Sequence, residues 1–193
     1  MLRSAIILSV LFLFSSGPAS GECHETVRID SMTYSVGSRW CGKKLDTTLF
    51  ASPSSLVRIP SEYCMNDYRI YVTGATRKAF VEMARSADKD GIKLIAESGY
   101  RSSRYQRAII KRRMEAGHSF EQVMKYVAPP GYSEHETGRA LDLATSNAGF
   151  VNTEAYKWLK HHGAEFGFSE TYPKERTGNM PYEPWHWCYK REN

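Results

Sequence analysis

The chain has 193 residues, of which 41% are hydrophobic and 24% charged, with a formal net charge of +5. That balance excludes a disordered chain, which would be poorer in apolar and aromatic residues, and the 14 glycines and 8 prolines follow no collagen-like period. The length fits a single domain, and the scattered basic residues form no nucleic-acid motif, so no nucleic-acid partner is expected.

Residues 1–21 read as a signal peptide. Met1-Leu2-Arg3 gives a positive start, Ala5 to Phe14 is apolar except for Ser9, and Ser15 to Gly21 is small and turn-forming. The apolar run is too short to span a bilayer. Cleavage after Gly21 or Ala19 predicts an exported protein of the periplasm or the extracellular, cell-wall space, with no stable membrane insertion afterwards. Loss of Arg3 takes the formal charge from +5 to +4, which suits an anionic surface such as a cell wall. All four cysteines follow the leader, and an even count in an oxidising compartment predicts two disulfides. Of three connectivities, Cys23–Cys41 with Cys64–Cys188 is favoured, because the first closes a short local loop.

Residues 22–70 form an irregular N-terminal extension, with strands expected at Thr26 to Ile29 and Leu56 to Ile59. Tyr68 to Thr73 reads as a further strand. From Thr76 the apolar positions Ala79, Phe80, Met83, Ala84 and Ala87 recur at helical spacing until Asp90-Gly91. A strand at Ile92 to Glu97 follows, then helices at Ser102 to Glu115 and Phe120 to Val127. Lys111-Arg112-Arg113 reads as a solvated helix face. Leu141 to Ala144 is expected as a strand, Thr153 to Phe166 as a helix, and Phe168 and Trp185 to Tyr189 as terminal strands. Helices and mostly antiparallel strands without a βαβ rhythm define a single small α+β domain.

Chemistry concentrates in two places. One is Gly131-Tyr132-Ser133-Glu134-His135-Glu136-Thr137-Gly138-Arg139-Ala140-Leu141-Asp142, where Gly138 permits a tight turn that brings His135 and Asp142 together. The other is Glu183-Pro184-Trp185-His186-Trp187. Two imidazoles and one carboxylate make a three-ligand zinc set with a fourth position open to water. Glu183, bent away from His186 by Pro184, is the candidate general base. Spacing alone leaves two alternatives open: buried structural polar groups, or Cys188 joining the histidines as a ligand. His24, His161 and His162 read as exposed or packed imidazoles, and His118 as a turn residue.

At these residues the sequence resembles the VanY-type zinc D-alanyl-D-alanine carboxypeptidases. Three blocks match in order: Glu97-Ser98-Gly99-Tyr100-Arg101-Ser102 with Gln106, then Gly131 to Asp142, then Glu183 to Trp187. The resemblance covers about residues 70–190 and implies a zinc peptidase catalytic domain at 71–193, of the type shared with the Hedgehog signalling domain. It implies one catalytic Zn2+ on His135, Asp142 and His186, with Glu183 as base and Arg101 stabilising the oxyanion. Gln106 and Ser133 would hold the substrate's terminal carboxylate or backbone, and Tyr132 and Trp185 would line the pocket. The implied activity removes a terminal D-alanine from peptidoglycan stem peptides, as a D,D- or L,D-carboxypeptidase working as a monomer. A peptidoglycan endopeptidase is the alternative, and a non-catalytic zinc-containing binding module is a third reading. The sequence departs from the family at Cys188, where a basic residue is common, and at Thr177 to Tyr182, which is expected to shape a different pocket wall.

Overall fold

The computed structural model describes residues 23–175 and 179–190; the signal-peptide expectation for 1–21 lies outside them. An antiparallel hairpin opens the chain, β1 (Thr26–Ile29) paired with β2 (Met32–Ser35), followed by the short α1 (Gly37–Trp40). A second antiparallel pair joins β3 (Leu56–Arg58) to β4 (Tyr71–Thr73). The main sheet has four strands, all antiparallel: β5 (Ala96–Ser98), β6 (Ala140–Leu143), β7 (Phe168–Glu170) and β8 (His186–Tyr189), in the order β5-β6-β8-β7. The α+β expectation holds.

Helices start where side-chain caps satisfy their first N–H groups. In α2 (Gly74–Lys89) the Thr73 hydroxyl accepts from the Thr76 N–H. In α3 (Ser103–Glu115) Ser102 does the same for Tyr105. A reciprocal Ser119–Gln122 box opens α4 (Phe120–Met124), and Thr153 caps α5 (Glu154–His162). None of these is long and apolar enough to cross a membrane.

Four boundaries shift by three residues or more from the sequence reading; the first is the 68–73 strand, which pairs only from Tyr71. The expected 92–97 strand pairs only from Ala96, and α4 stops at Met124. The helix expected to run to Phe166 is α-helical to His162 and then tightens into a short turn, Gly163–Phe166. There Gly163 lies against Trp187, and a Cβ on it would sit 2.9 Å from the indole.

Two apolar cores result. In the first, Phe80, Met83, Ala84 and Ala87 of α2 meet Leu141, Leu143, Phe168 and Trp187 of the main sheet, together with Leu159 of α5. In the second, Val27 and Ile29 of the hairpin and Trp40 of α1 meet Ile110 of α3 and Phe120 and Val123 of α4. Each fully buried large side chain contributes roughly 1.5–3 kcal/mol.

Cys23 and Cys41 are joined, with Cα atoms 5.8 Å apart. The expected Cys64–Cys188 bond is absent, and both residues are buried free thiols. Sheet order explains this. Cys64 bridges to Ala96 on β5, whereas Cys188 lies on β8 beyond β6. Three strand spacings separate them, roughly 14 Å, against the Cα separation of about 7 Å that a disulfide tolerates.

Candidate metal centre

Asp142 and His186 are directly opposite each other on β6 and β8, so their side chains share one face of the sheet. His135 arrives from the helical turn Glu134–Thr137. That turn ends at Gly138, whose φ of +65° is left-handed and whose missing Cβ would stand 3.1 Å from both the Ala51 Cβ and the Thr73 Cγ2. Only glycine meets both demands. The Gly138 carbonyl accepts from the Thr73 N–H and the Glu136 carbonyl from the Ala51 N–H, strapping the turn down. The Glu136 carboxylate accepts from the Gly131 N–H and the Ser103 hydroxyl, bracing the same loop.

His135, Asp142 and His186 are all buried and bring one donor atom each within 4.8 Å of one another. His135 Nδ1–H donates to the Gly99 carbonyl at 2.7 Å, which leaves its Nε2 lone pair facing the centre. His186 Nε2 is 3.0 Å from the Glu134 carboxylate and its Nδ1 is 3.0 Å from Asp142. Each imidazole is thus held by an oxygen on its outer nitrogen, the arrangement that orients metal-bound histidines. Burial, and then the Arg101 charge, push His135 toward the neutral form that ligates. Burial opposes ionisation of Asp142, but His135, His186 and Arg101 outweigh it and hold the carboxyl well below the usual range. Burial also favours a neutral His186, but its bonds to Asp142 and Glu134 raise it to about 10. A cation at Nδ1 would have to displace that proton. Two imidazoles and a carboxylate converging on one face fit zinc.

Around this centre lies a cavity of about 260 Å³. Arg101, just before α3, turns its guanidinium inward: Nε donates to Ser98 Oγ at 3.0 Å, while Nη2 reaches His135 Nε2 at 3.0 Å and pairs with Asp142. Glu183 lines the cavity before β8, and the His186 N–H donates to its carbonyl across Pro184. Burial pushes its carboxyl up to about 7.

The other expected substrate residues fall into two groups. Ser133, Trp185 and Gln106 line the cavity. Gln106 is 1% exposed, its Nε2 donates to the Ala128 carbonyl at 2.8 Å, and its Oε1 has no partner. Tyr132 is not among the lining residues. It belongs to the second core, edge-on to Trp40, and its hydroxyl donates to Glu25 at 2.8 Å. Met180 and Pro181 do form a wall, as the departure at Thr177 to Tyr182 suggested, although Thr177 and Gly178 lie outside the described residues. Cys188 is no ligand; the donor group is His135, Asp142 and His186.

Sequence reasoning gave no role to Glu134, Trp40 or Tyr172. Glu134 stands beside His135 in the quoted motif, but its bond to His186 crosses 52 positions, and no local signal announces it. Trp40 comes from the N-terminal hairpin lobe, and the Tyr172 ring lies tilted against the His186 ring with centroids 5.1 Å apart.

An antiparallel α+β sheet that gathers two imidazoles, a carboxylate, a second, half-buried carboxylate and a guanidinium around one cavity defines a domain of the zinc-peptidase class. The chain belongs to the VanY D-alanyl-D-alanine carboxypeptidase family, whose model matches residues 69–192. It is 32% identical over 130 residues to a D-alanyl-D-alanine carboxypeptidase of Enterococcus faecium, covering 66% of this chain and 40% of that protein. The structure of the LdcB LD-carboxypeptidase matches with a TM-score of 0.66 at 32% identity, over 72% of this chain and 69% of that one. VanY from a VanB-type resistance cassette, solved in complex with Zn(II), matches with a TM-score of 0.52 at 28% identity, over 68% and 82%. Of the curated relatives that are 32% or 33% identical to it, the chain spans 54%, 40% and 42% of their length.

Proposed function

We propose that this chain is an exported, monomeric zinc carboxypeptidase that removes the terminal D-alanine of peptidoglycan stem peptides. The observation that carries the reading is the convergence of His135, Asp142 and His186 on a cavity that also holds Glu183 and Arg101. The family and the Zn(II) complex of the VanY relative support it. The leader pattern at 1–21 and the Cys23–Cys41 disulfide support export.

Zinc, when bound, supplies Lewis-acid polarisation and a more acidic water. The protein's side chains do the rest. Glu183 in its ionised form takes a proton from the attacking water and returns it to the departing amine. Arg101, always charged and already fixed by Ser98, donates to the developing oxyanion. Gln106 has its amide nitrogen committed to Ala128, so the atom it offers is an acceptor. It therefore takes a substrate N–H and not the terminal carboxylate. Ser133 and Trp185 shape the remaining wall.

The test is mass spectrometry of defined tetrapeptide and pentapeptide muropeptides incubated with the zinc-loaded protein, with chelator and Glu183→Ala controls. Loss of one alanine from the pentapeptide identifies D,D-carboxypeptidase activity, and loss from the tetrapeptide identifies L,D activity. Internal cleavage instead would establish the endopeptidase. No cleavage by a protein shown to hold zinc would refute the catalytic reading.

A further inference from the structure

The cluster Lys111-Arg112-Arg113 is exposed, as expected of a solvated helix face, but its three side chains meet different surroundings. Lys111 pairs with Asp30 at 2.8 Å and lies 3.9 Å from Glu115. Arg112 covers the Tyr105 ring, 5.9 Å from its centroid. Arg113 alone turns to the catalytic cavity, and among the described residues its guanidinium makes no ion pair and no hydrogen bond.

Arg113 has company on that wall. Gln106, Ile109 and Arg113 all line the cavity, at the i, i+3, i+7 spacing of a single helical stripe. The stripe is chemically graded. Gln106 is buried and presents an acceptor without a partner. Ile109 is apolar, and Arg113, at the exposed end, presents a free bidentate donor. Because α3 begins beside Arg101, Arg113 stands about 15 Å along the axis from the helix start at 1.5 Å per residue. An extended peptide covers that distance in roughly four residues, fewer once the arginine's own reach is subtracted. The alanine carboxylate at the cleaved end lies within one residue of the scissile bond, too close to be Arg113's partner.

We propose that the α3 stripe is the recognition wall for the retained part of the substrate, and that Arg113 binds a side carboxylate about three residues from the scissile bond. The proposal deepens the carboxypeptidase reading and rests on it for the position of the scissile bond. It names the substrate class as an anionic peptide whose side carboxylate is free and not amidated.

The experiment uses paired synthetic pentapeptides, identical except that the second or third residue carries either a free carboxylate or a carboxamide. The zinc-loaded wild type is expected to prefer the free acid about tenfold in kcat/KM at low salt, with the preference shrinking as salt screens the exposed guanidinium. Arg113→Ala brings the ratio to near one, and Arg113→Lys keeps part of it. An unchanged ratio in Arg113→Ala, or no preference in the wild type, overturns the assignment. Calorimetry on Glu183→Ala with the same peptides separates this from the activity. If the wild type cleaves neither peptide, yet Glu183→Ala prefers the free acid and loses that preference with Arg113→Ala, the Arg113 site stands and the carboxypeptidase reading falls. Equal binding of both peptides overturns the Arg113 site.

Discussion

Gly138→Ala tests the geometry that delivers His135 to the metal centre. At φ +65° an alanine carries the left-handed penalty, about 1–2 kcal/mol. Its methyl would also meet Ala51 and Thr73 at 3.1 Å and Leu56 at 3.3 Å, an overpacking worth about 1–3 kcal/mol where the neighbours must shift. Loss of glycine's freedom in the unfolded chain returns about 0.4–1 kcal/mol. The balance is a destabilisation of about 3 kcal/mol, which for a chain of this length lowers Tm by about 6–12 °C. Gly91→Ala is the control. Gly91 has a φ of +75° but nothing within 4 Å, so it isolates the backbone penalty, net about 0.5–1 kcal/mol. Thermal and urea denaturation of both variants, metal-free, measures the difference, and zinc affinity measures how far His135 has moved. Equal Tm shifts for the two variants would show that the packed turn under His135 is not as described.

Three further outcomes follow from the same contacts. Glu134→Ala removes the oxygen that holds His186 Nε2 and should weaken zinc binding about 10–100-fold, measured by chelator competition; unchanged affinity would deny Glu134 its orienting role. Burial raises both free thiols, Cys188 to about 12. DTNB at pH 8 should therefore find no thiol in the native protein and two after unfolding without reductant, whereas none after unfolding would mean a second disulfide. In the metal-free protein the Glu183 carboxyl, at about 7, keeps its proton over a range where the unfolded chain, at its ordinary 4.5, has lost it. Rising pH therefore favours unfolding between those two values. The Tm of Glu183→Gln relative to wild type should climb from pH 4.5 to 7 and then level off, and a flat difference would refute the raised carboxyl.

What the sequence makes legible is what short range encodes. The α2 periodicity and the two short motifs that hold His135, Asp142, Glu183 and His186 are set by neighbours within a turn or a strand. Sheet order does not, and it placed Cys64 and Cys188 three strands apart. Tyr132 shows the same limit. An aromatic next to the motif reads as a pocket residue, but the hairpin lobe offers Trp40 and Glu25, and the ring and hydroxyl are used there instead. Gln106 stands out through the family pattern, but that its amide nitrogen is taken by the Ala128 carbonyl, 22 positions away, shows only in the fold.

The two parts of the cavity therefore have different origins. The ligands and Glu183 are set by the main sheet and the turns beside it, through β6–β8 register and the Gly138 turn. The facing wall combines α3 with Trp40, which the sequence placed in an extension without a role. Trp40 is fixed by three ties. Its own Nε1–H donates to the Met124 carbonyl at 2.9 Å, the Cys23–Cys41 bond closes the lobe, and Glu25 accepts from both the Gly42 N–H and the Tyr132 hydroxyl. The last tie runs directly into the loop that carries His135. A wall assembled this way can change without moving the donor atoms, because none of its residues belongs to the His135, Asp142 and His186 group.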